Sequence, residues 1–102
     1  ISCNVKLENG VYIQPCASIG HDCVIGEGSM ISTGCVLAGG VEVGAYAYIG
    51  MGGIIKEFVN VGKYTVIGMA SAVYKDIGDE IIAMGSPARP MKRNESKRVF
   101  KS

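Results

Sequence analysis

Aliphatic side chains return at every sixth residue through most of this chain: Ile1, Leu7, Ile13, Ile19, Ile25, Ile31, Leu37, Val43, Ile49, Ile55, Val61, Ile67 and Val73, with no insertion. A period of six suits neither a helix nor an alternating strand, so it describes a repeat whose unit is one short strand and one corner. Four residues after each aliphatic comes a second, mostly small side chain: Val5, Val11, Ala17, Cys23, Ser29, Cys35, Val41, Ala47, Gly53, Val59, Thr65, Ser71 and Ile77. Glycine follows the aliphatic at positions 20, 26, 44, 50, 62 and 68. Three hexads make one 18-residue triangular coil, with the aliphatic and the small residue both pointing into the prism. Coils then stack at the spacing of paired strands, about 4.7–4.9 Å, and stacking makes the core of even a short repeat continuous. The expected fold is all-β, a parallel β-helix.

Residues 1–78 hold thirteen hexads, and the pattern fails after Ile77 and Gly78. The β-helix is therefore expected over 1–78. Residues 79–102 then form a short C-terminal cap and a basic tail, with the stretch from Ile81 to Pro90 shielding the strand edge of the last coil. The chain opens inside the repeat, at Ile1, and reads as the C-terminal part of a longer protein. Charge is lopsided: residues 1–88 hold four Lys and eight Asp or Glu, whereas 89–102 hold six Lys or Arg and only Glu95. Phe100 is the one aromatic among those cations, short of the interleaving of a nucleic-acid surface, so the tail is read as a solvated, partly disordered end. No run is long and apolar enough for a membrane span or a signal peptide. Cys3 and Cys16 fall at corners, Cys23 and Cys35 at the small inward position, and all four lie in different columns of the prism. That argues against disulfides and a cysteine-based metal site, and points to a reducing cytoplasm.

Residues 18 apart stack, which turns the sequence into a map. The outward position before each aliphatic gives one polar side (Lys6, Val24, Glu42, Asn60) and two apolar ones (Tyr12, Met30, Tyr48, Val66; Ser18, Val36, Ile54, Ala72). Two apolar sides are hard to explain in a monomer. A heterologous contact of one side against the other, closed at three, predicts a homotrimer. At the corners, Cys3, His21, Gly39 and Glu57 form one column, while Pro15, Thr33, Met51 and Met69 form another. Beside the latter run Cys16, Gly34, Gly52 and Ala70, small residues that leave a shallow trench for an extended ligand.

His21 is the sole histidine, and its corner position turns the ring outward. An imidazole, with an unperturbed pKa of about 6.5, is a suitable general base at physiological pH. Asp22 follows it, and Gly39 stacks above it with a backbone N–H able to stabilise an oxyanion. Base and donor in one site are what acyl transfer needs.

Three motifs (His21-Asp22-Cys23-x-Ile25-Gly26, Leu37-Ala38-Gly39-Gly40-Val41 and Gly85-x-Pro87-Ala88-Arg89) resemble those of the hexapeptide-repeat sugar acetyltransferases. The likeness is to the branch of sialic-acid O-acetyltransferases and UDP-4-amino-sugar N-acetyltransferases, and it runs from about Val11 to Lys92. It implies a left-handed β-helix that transfers acetyl from acetyl-CoA to the amine or hydroxyl of a sugar or nucleotide sugar. It also implies an N-terminal acceptor-binding domain that this chain lacks. His21 matches the family's base, Asp22 its acidic neighbour and Gly39 the oxyanion-binding amide. Met51 and Met69 match positions that contact acetyl-CoA. Gly85 to Arg89, with Pro87 and Arg89, matches a motif near the nucleotide end of CoA, and Gln14 stands where an Asn near the active site is found. Met30 replaces a histidine that helps to bind acetyl-CoA, leaving packing in place of a hydrogen bond.

Two other readings compete. An acyl-carrier-protein-dependent UDP-N-acetylglucosamine acyltransferase shares the His-Asp-Cys box and a segment like Ile55-Lys56-Glu57-Phe58-Val59. Two histidines expected there are Gly40 and Lys56 here. A non-catalytic trimeric scaffold would leave His21 incidental. A γ-class carbonic anhydrase needs three zinc-binding histidines, and this chain has one.

Overall fold

The structure, a computed structural model, describes residues 1–94. Twelve two-residue strands follow one another at hexad spacing: β1 (Lys6–Leu7), β2 (Tyr12–Ile13), β3 (Ser18–Ile19), β4 (Val24–Ile25), β5 (Met30–Ile31), β6 (Val36–Leu37), β7 (Glu42–Val43), β8 (Tyr48–Ile49), β9 (Ile54–Ile55), β10 (Asn60–Val61), β11 (Val66–Ile67) and β12 (Ala72–Val73). Two longer strands close the chain, β13 (Ile81–Gly85) and β14 (Ala88–Arg93). Every third strand pairs in parallel, so that Val24 lies opposite Glu42, Met30 opposite Tyr48 and Val36 opposite Ile54. Three sheets result: β1-β4-β7-β10, then β2-β5-β8-β11-β13-β14, then β3-β6-β9-β12. The sequence register is the structural one.

The interior follows from the hexad. Ile25, Ile31, Ile49, Ile55 and Ile67 are fully buried, and so are the small-position residues Cys23, Ser29, Cys35, Ala47 and Thr65. The buried hydroxyls of Ser29 and Thr65 also stitch coils together, which avoids the cost of an unpaired polar group there. Ser29 Oγ donates to the Gly44 carbonyl at 2.7 Å and accepts from the Ala47 N–H at 3.1 Å. Thr65 Oγ1 donates to the Gly78 carbonyl at 2.6 Å. Ile1 and Leu7, whose coil has a neighbour on one side only, are exposed.

The end of the repeat differs from the sequence expectation. Ile77, read as a small-position residue, instead bridges to Val61, and Ala83 lies opposite Ile67. Both pairs are sixteen residues apart rather than eighteen, so the coil has lost two residues between Val73 and Ile77 and then resumed. Asp76 repairs the cut: its carboxylate accepts from the Asn60 N–H at 2.8 Å. Strand β13 is therefore one more rung of the second sheet before it is a cap. The basic stretch expected to be solvated tail folds back over it as β14, antiparallel, carrying Arg89, Lys92 and Arg93. An edge strand with free N–H and C=O groups recruits a partner, and the nearest chain is its own. Residues 95–102 of that tail lie outside the described residues.

Three corners connect the sheets, and one residue in almost every turn has a left-handed backbone. Along the edge from the third sheet to the first these are Asn4, Asp22, Gly40 and Phe58. From the first to the second they are Gly10, Gly28, Tyr46, Tyr64 and Glu80; from the second to the third, Cys16, Gly34, Gly52 and Ala70. These edges are called below the histidine, tyrosine and methionine corners.

Candidate functional site

On the histidine corner the left-handed residue of each turn donates its N–H to the preceding coil. The bonds run from Asp22 to the Cys3 carbonyl at 3.1 Å, Gly40 to His21 at 2.8 Å and Phe58 to Gly39 at 3.0 Å. That ladder holds His21 directly beside Gly39 on the next coil. The N–H of Gly39, the residue before the donor, meets no acceptor among the described residues. Ala45, Met51 and Met69 leave the same N–H without an acceptor among the described residues on the other corners, so what sets Gly39 apart is its side chain, or the lack of one. A Cβ built on Gly39 would stand 2.5 Å from His21 Nε2 and 2.6 Å from Cε1. The imidazole edge thus lies over bare backbone.

His21 points outward and its side chain is 58% exposed. Nδ1 lies 3.0 Å from Asp22 Oδ2. A carboxylate there favours the proton on Nδ1 and leaves the Nε2 lone pair facing Gly39 and the solvent. Under this corner Cys23 is buried and donates from Sγ to the Ala38 carbonyl at 3.2 Å. Burial pushes that thiol above its ordinary range, so it is a packing residue rather than a nucleophile.

The remaining sequence candidates divide between other places. Met51 and Met69 are exposed along the methionine corner, beside the open left-handed column; a Cβ on Gly34 would meet nothing within 4 Å, in keeping with the trench. Gln14 opens the same corner, and its Oε1 accepts from Thr33 N–H at 3.1 Å and from Thr33 Oγ1 at 3.3 Å. Met30 is half-buried on the outer face of the second sheet, between Tyr12 and Tyr48. Pro87 and Arg89 line a cavity of about 300 Å³ with Tyr74, Lys75, Asp76, Ile77, Ala88 and Pro90. That cavity opens where the shortened coil meets the hairpin, at the far end of the histidine corner. Within one chain the structure therefore joins His21, Asp22 and Gly39, joins Met51, Met69 and Gln14 separately, and places Met30 on a face of its own.

The sequence alone assigned no role to one residue of the histidine corner, met there only within the segment 55–59. Phe58 is 74% exposed. It holds a left-handed φ of 61°. Its ring folds back one coil, so that a Cβ on Gly40 would collide with Cδ1. The signal was available as a glycine eighteen residues before an aromatic, which recurs at Gly28 and Tyr46.

The family description "bacterial transferase hexapeptide (six repeats)" matches residues 1–33 and 22–57. This chain belongs to the hexapeptide-repeat transferase family. An acyl-[acyl-carrier-protein]–UDP-N-acetylglucosamine O-acyltransferase of Thiobacillus denitrificans is 37% identical over 79 residues, which cover 78% of this chain and 31% of the relative. Serine acetyltransferase of Neisseria gonorrhoeae, solved with serine, superposes with a TM-score of 0.80 at 26% identity, over 84% of this chain and 39% of that one. PerB of Caulobacter crescentus, solved with CoA and GDP-perosamine, superposes with a TM-score of 0.65 at 26% identity, over 87% of this chain and 55% of that one. The chain spans about a third of the length of the curated relatives it matches.

Proposed function

We propose that this chain is the catalytic domain of an acetyl-CoA-dependent acetyltransferase acting on the amine or hydroxyl of a sugar or nucleotide sugar. The observation that carries the reading is the His21 ring, tied at Nδ1 to Asp22 and laid at Nε2 against the bare Cα of Gly39, whose N–H meets no acceptor among the described residues. In the mechanism that follows, Nε2 takes the proton of the acceptor group as it attacks the thioester carbonyl. The Gly39 N–H binds the oxyanion of the tetrahedral intermediate. Collapse expels the CoA sulfur, which leaves as the thiol with the proton held by the imidazolium.

The split among corners favours a site between subunits. A thioester that touches His21 and also Met30, Met51 and Met69 must lie between two copies, which fits a ring-shaped homotrimer burying the apolar second and third sheets. Lys75 sits three coils from His21 on the same corner, about 14–15 Å at strand spacing. With Arg89 it brings two cations to a cavity also lined by Pro87 and Asp76, a place for the phosphates of CoA. Gln14 would orient the acceptor from the neighbouring copy.

The test compares the intact protein with His21→Ala on a panel of UDP- and GDP-linked amino and hydroxy sugars with acetyl-CoA. Turnover should fall by about a hundredfold or more, with the assembly unchanged; near-normal turnover would defeat the mechanism. A second reading rests on the 37% identical relative, whose donor is an acyl-carrier protein. Millimolar acetyl-CoA should raise the melting temperature by mass action under the first reading. Transfer from acyl-carrier protein alone, with no shift from acetyl-CoA, supports the second. No shift and no transfer from either donor leaves a scaffold.

A further inference from the structure

Phe58 occupies a place that is hard to justify on packing grounds. A bulky residue with a left-handed backbone is an outlier, and this one keeps most of its ring in water. Yet the ring is not loose. It folds down one coil onto Gly40, while His21 reaches up one coil onto Gly39. Consecutive Cα atoms are about 3.8 Å apart, so the two rings overhang the same two-residue step from opposite sides.

We propose that Phe58 is a specificity-determining residue, the wall against which the acceptor's sugar ring rests while Nε2 takes its proton. This rests on the transfer reading above. The atom that gives up a proton must lie at Nε2, and the carbonyl it attacks must lie at the Gly39 N–H. The remaining side of that space, over Gly40, is the phenyl ring. A group bonded to the nucleophile and no larger than one pyranose ring therefore meets Phe58. Pyranose rings present C–H-rich faces, and aromatic faces are negatively polarised and apolar. The contact would discriminate sugars from serine-sized acceptors, which are too small to touch both the base and the wall.

Steady-state kinetics on the sugar panel test this. Phe58→Ala and Phe58→Leu should raise the acceptor KM tenfold or more, with donor KM and kcat within about threefold of the parent. Phe58→Tyr and Phe58→Trp should keep the parental acceptor KM. Recovery by Leu, or a rise confined to the donor KM, overturns the proposal. Phe58→Gly relieves the left-handed backbone, so its melting temperature should be no lower than the parent's; a drop of several degrees would make the ring a structural brace. A protein with 4-fluorophenylalanine at position 58 should show a fluorine shift with the preferred sugar nucleotides of the panel. No shift with any of them sinks the wall, even if the parent transfers acetyl. Conversely, a shift without transfer sinks the transfer reading and keeps the wall.

Discussion

Tyr46 and Phe58 stand at equivalent places on two different corners. Each has a left-handed backbone, each follows a glycine by one coil, and each ring lies on that glycine. Above Tyr46 comes a second ring, Tyr64, stacked with centroids 5.5 Å apart and planes 19° apart. Glu27 beside it pushes the Tyr46 phenol up from its usual range. The tyrosine corner is closed upon itself. Above Phe58 the next coil is the shortened one, with Asp76 turned back to Asn60 and the Lys75–Arg89 cavity beyond. Below it lies the imidazole. The same backbone device thus makes a brace on one edge and an open step on the other, and the occupants of adjoining coils decide which.

The largest effects should separate the two corners cleanly. Tyr46→Ala removes a stacked pair and should lower the melting temperature by a few degrees while transfer kinetics stay within twofold, read by differential scanning fluorimetry and steady-state assay. If it alters the acceptor KM as Phe58→Ala is expected to, the contrast between the edges is lost. A smaller effect should come from the interior, beneath the histidine and methionine corners, where Cys23 and Cys35 lie. Burial pushes the Cys23 and Cys35 thiols above the ordinary thiol value of 9.0, against the opposing backbone hydrogen bonds. The unfolded chain therefore loses these protons first. Their contribution to stability is present below that value and is lost as pH rises through and beyond it. Melting at pH 10 should be depressed relative to pH 8, and less so in Cys35→Ala; equal depression in the variant would remove the thiol as cause.

The hexad spelled out the three sheets, the 18-residue register and the inward columns, because every coil repeats one steric problem and Ile25, Leu37 or Ile67 solves it identically. It also placed His21 beside Gly39, since stacking is fixed by counting. The shortened coil was not legible. Ile77 falls four residues after Val73, where the hexad already allows a side chain, and Ala83 is too small to announce an aliphatic position. Strand β14 was hidden by its charge, although pairing with β13 needs only backbone groups. Phe58 was missed for another reason. Counting assigns a residue to a coil, whereas a left-handed backbone sends its side chain to the coil before.

The central claim is that an imidazole and a glycine from neighbouring coils form one unit, and a double-mutant cycle on His21→Ala and Gly39→Ala measures it directly. A methyl group at Gly39 would occupy the space of the ring edge, so Gly39→Ala alone should cut kcat by about tenfold or more, as misplacement of a catalytic group does. Combined with His21→Ala it should cost almost nothing further, because the ring it displaces is already gone. Losses that simply multiply would contradict the account.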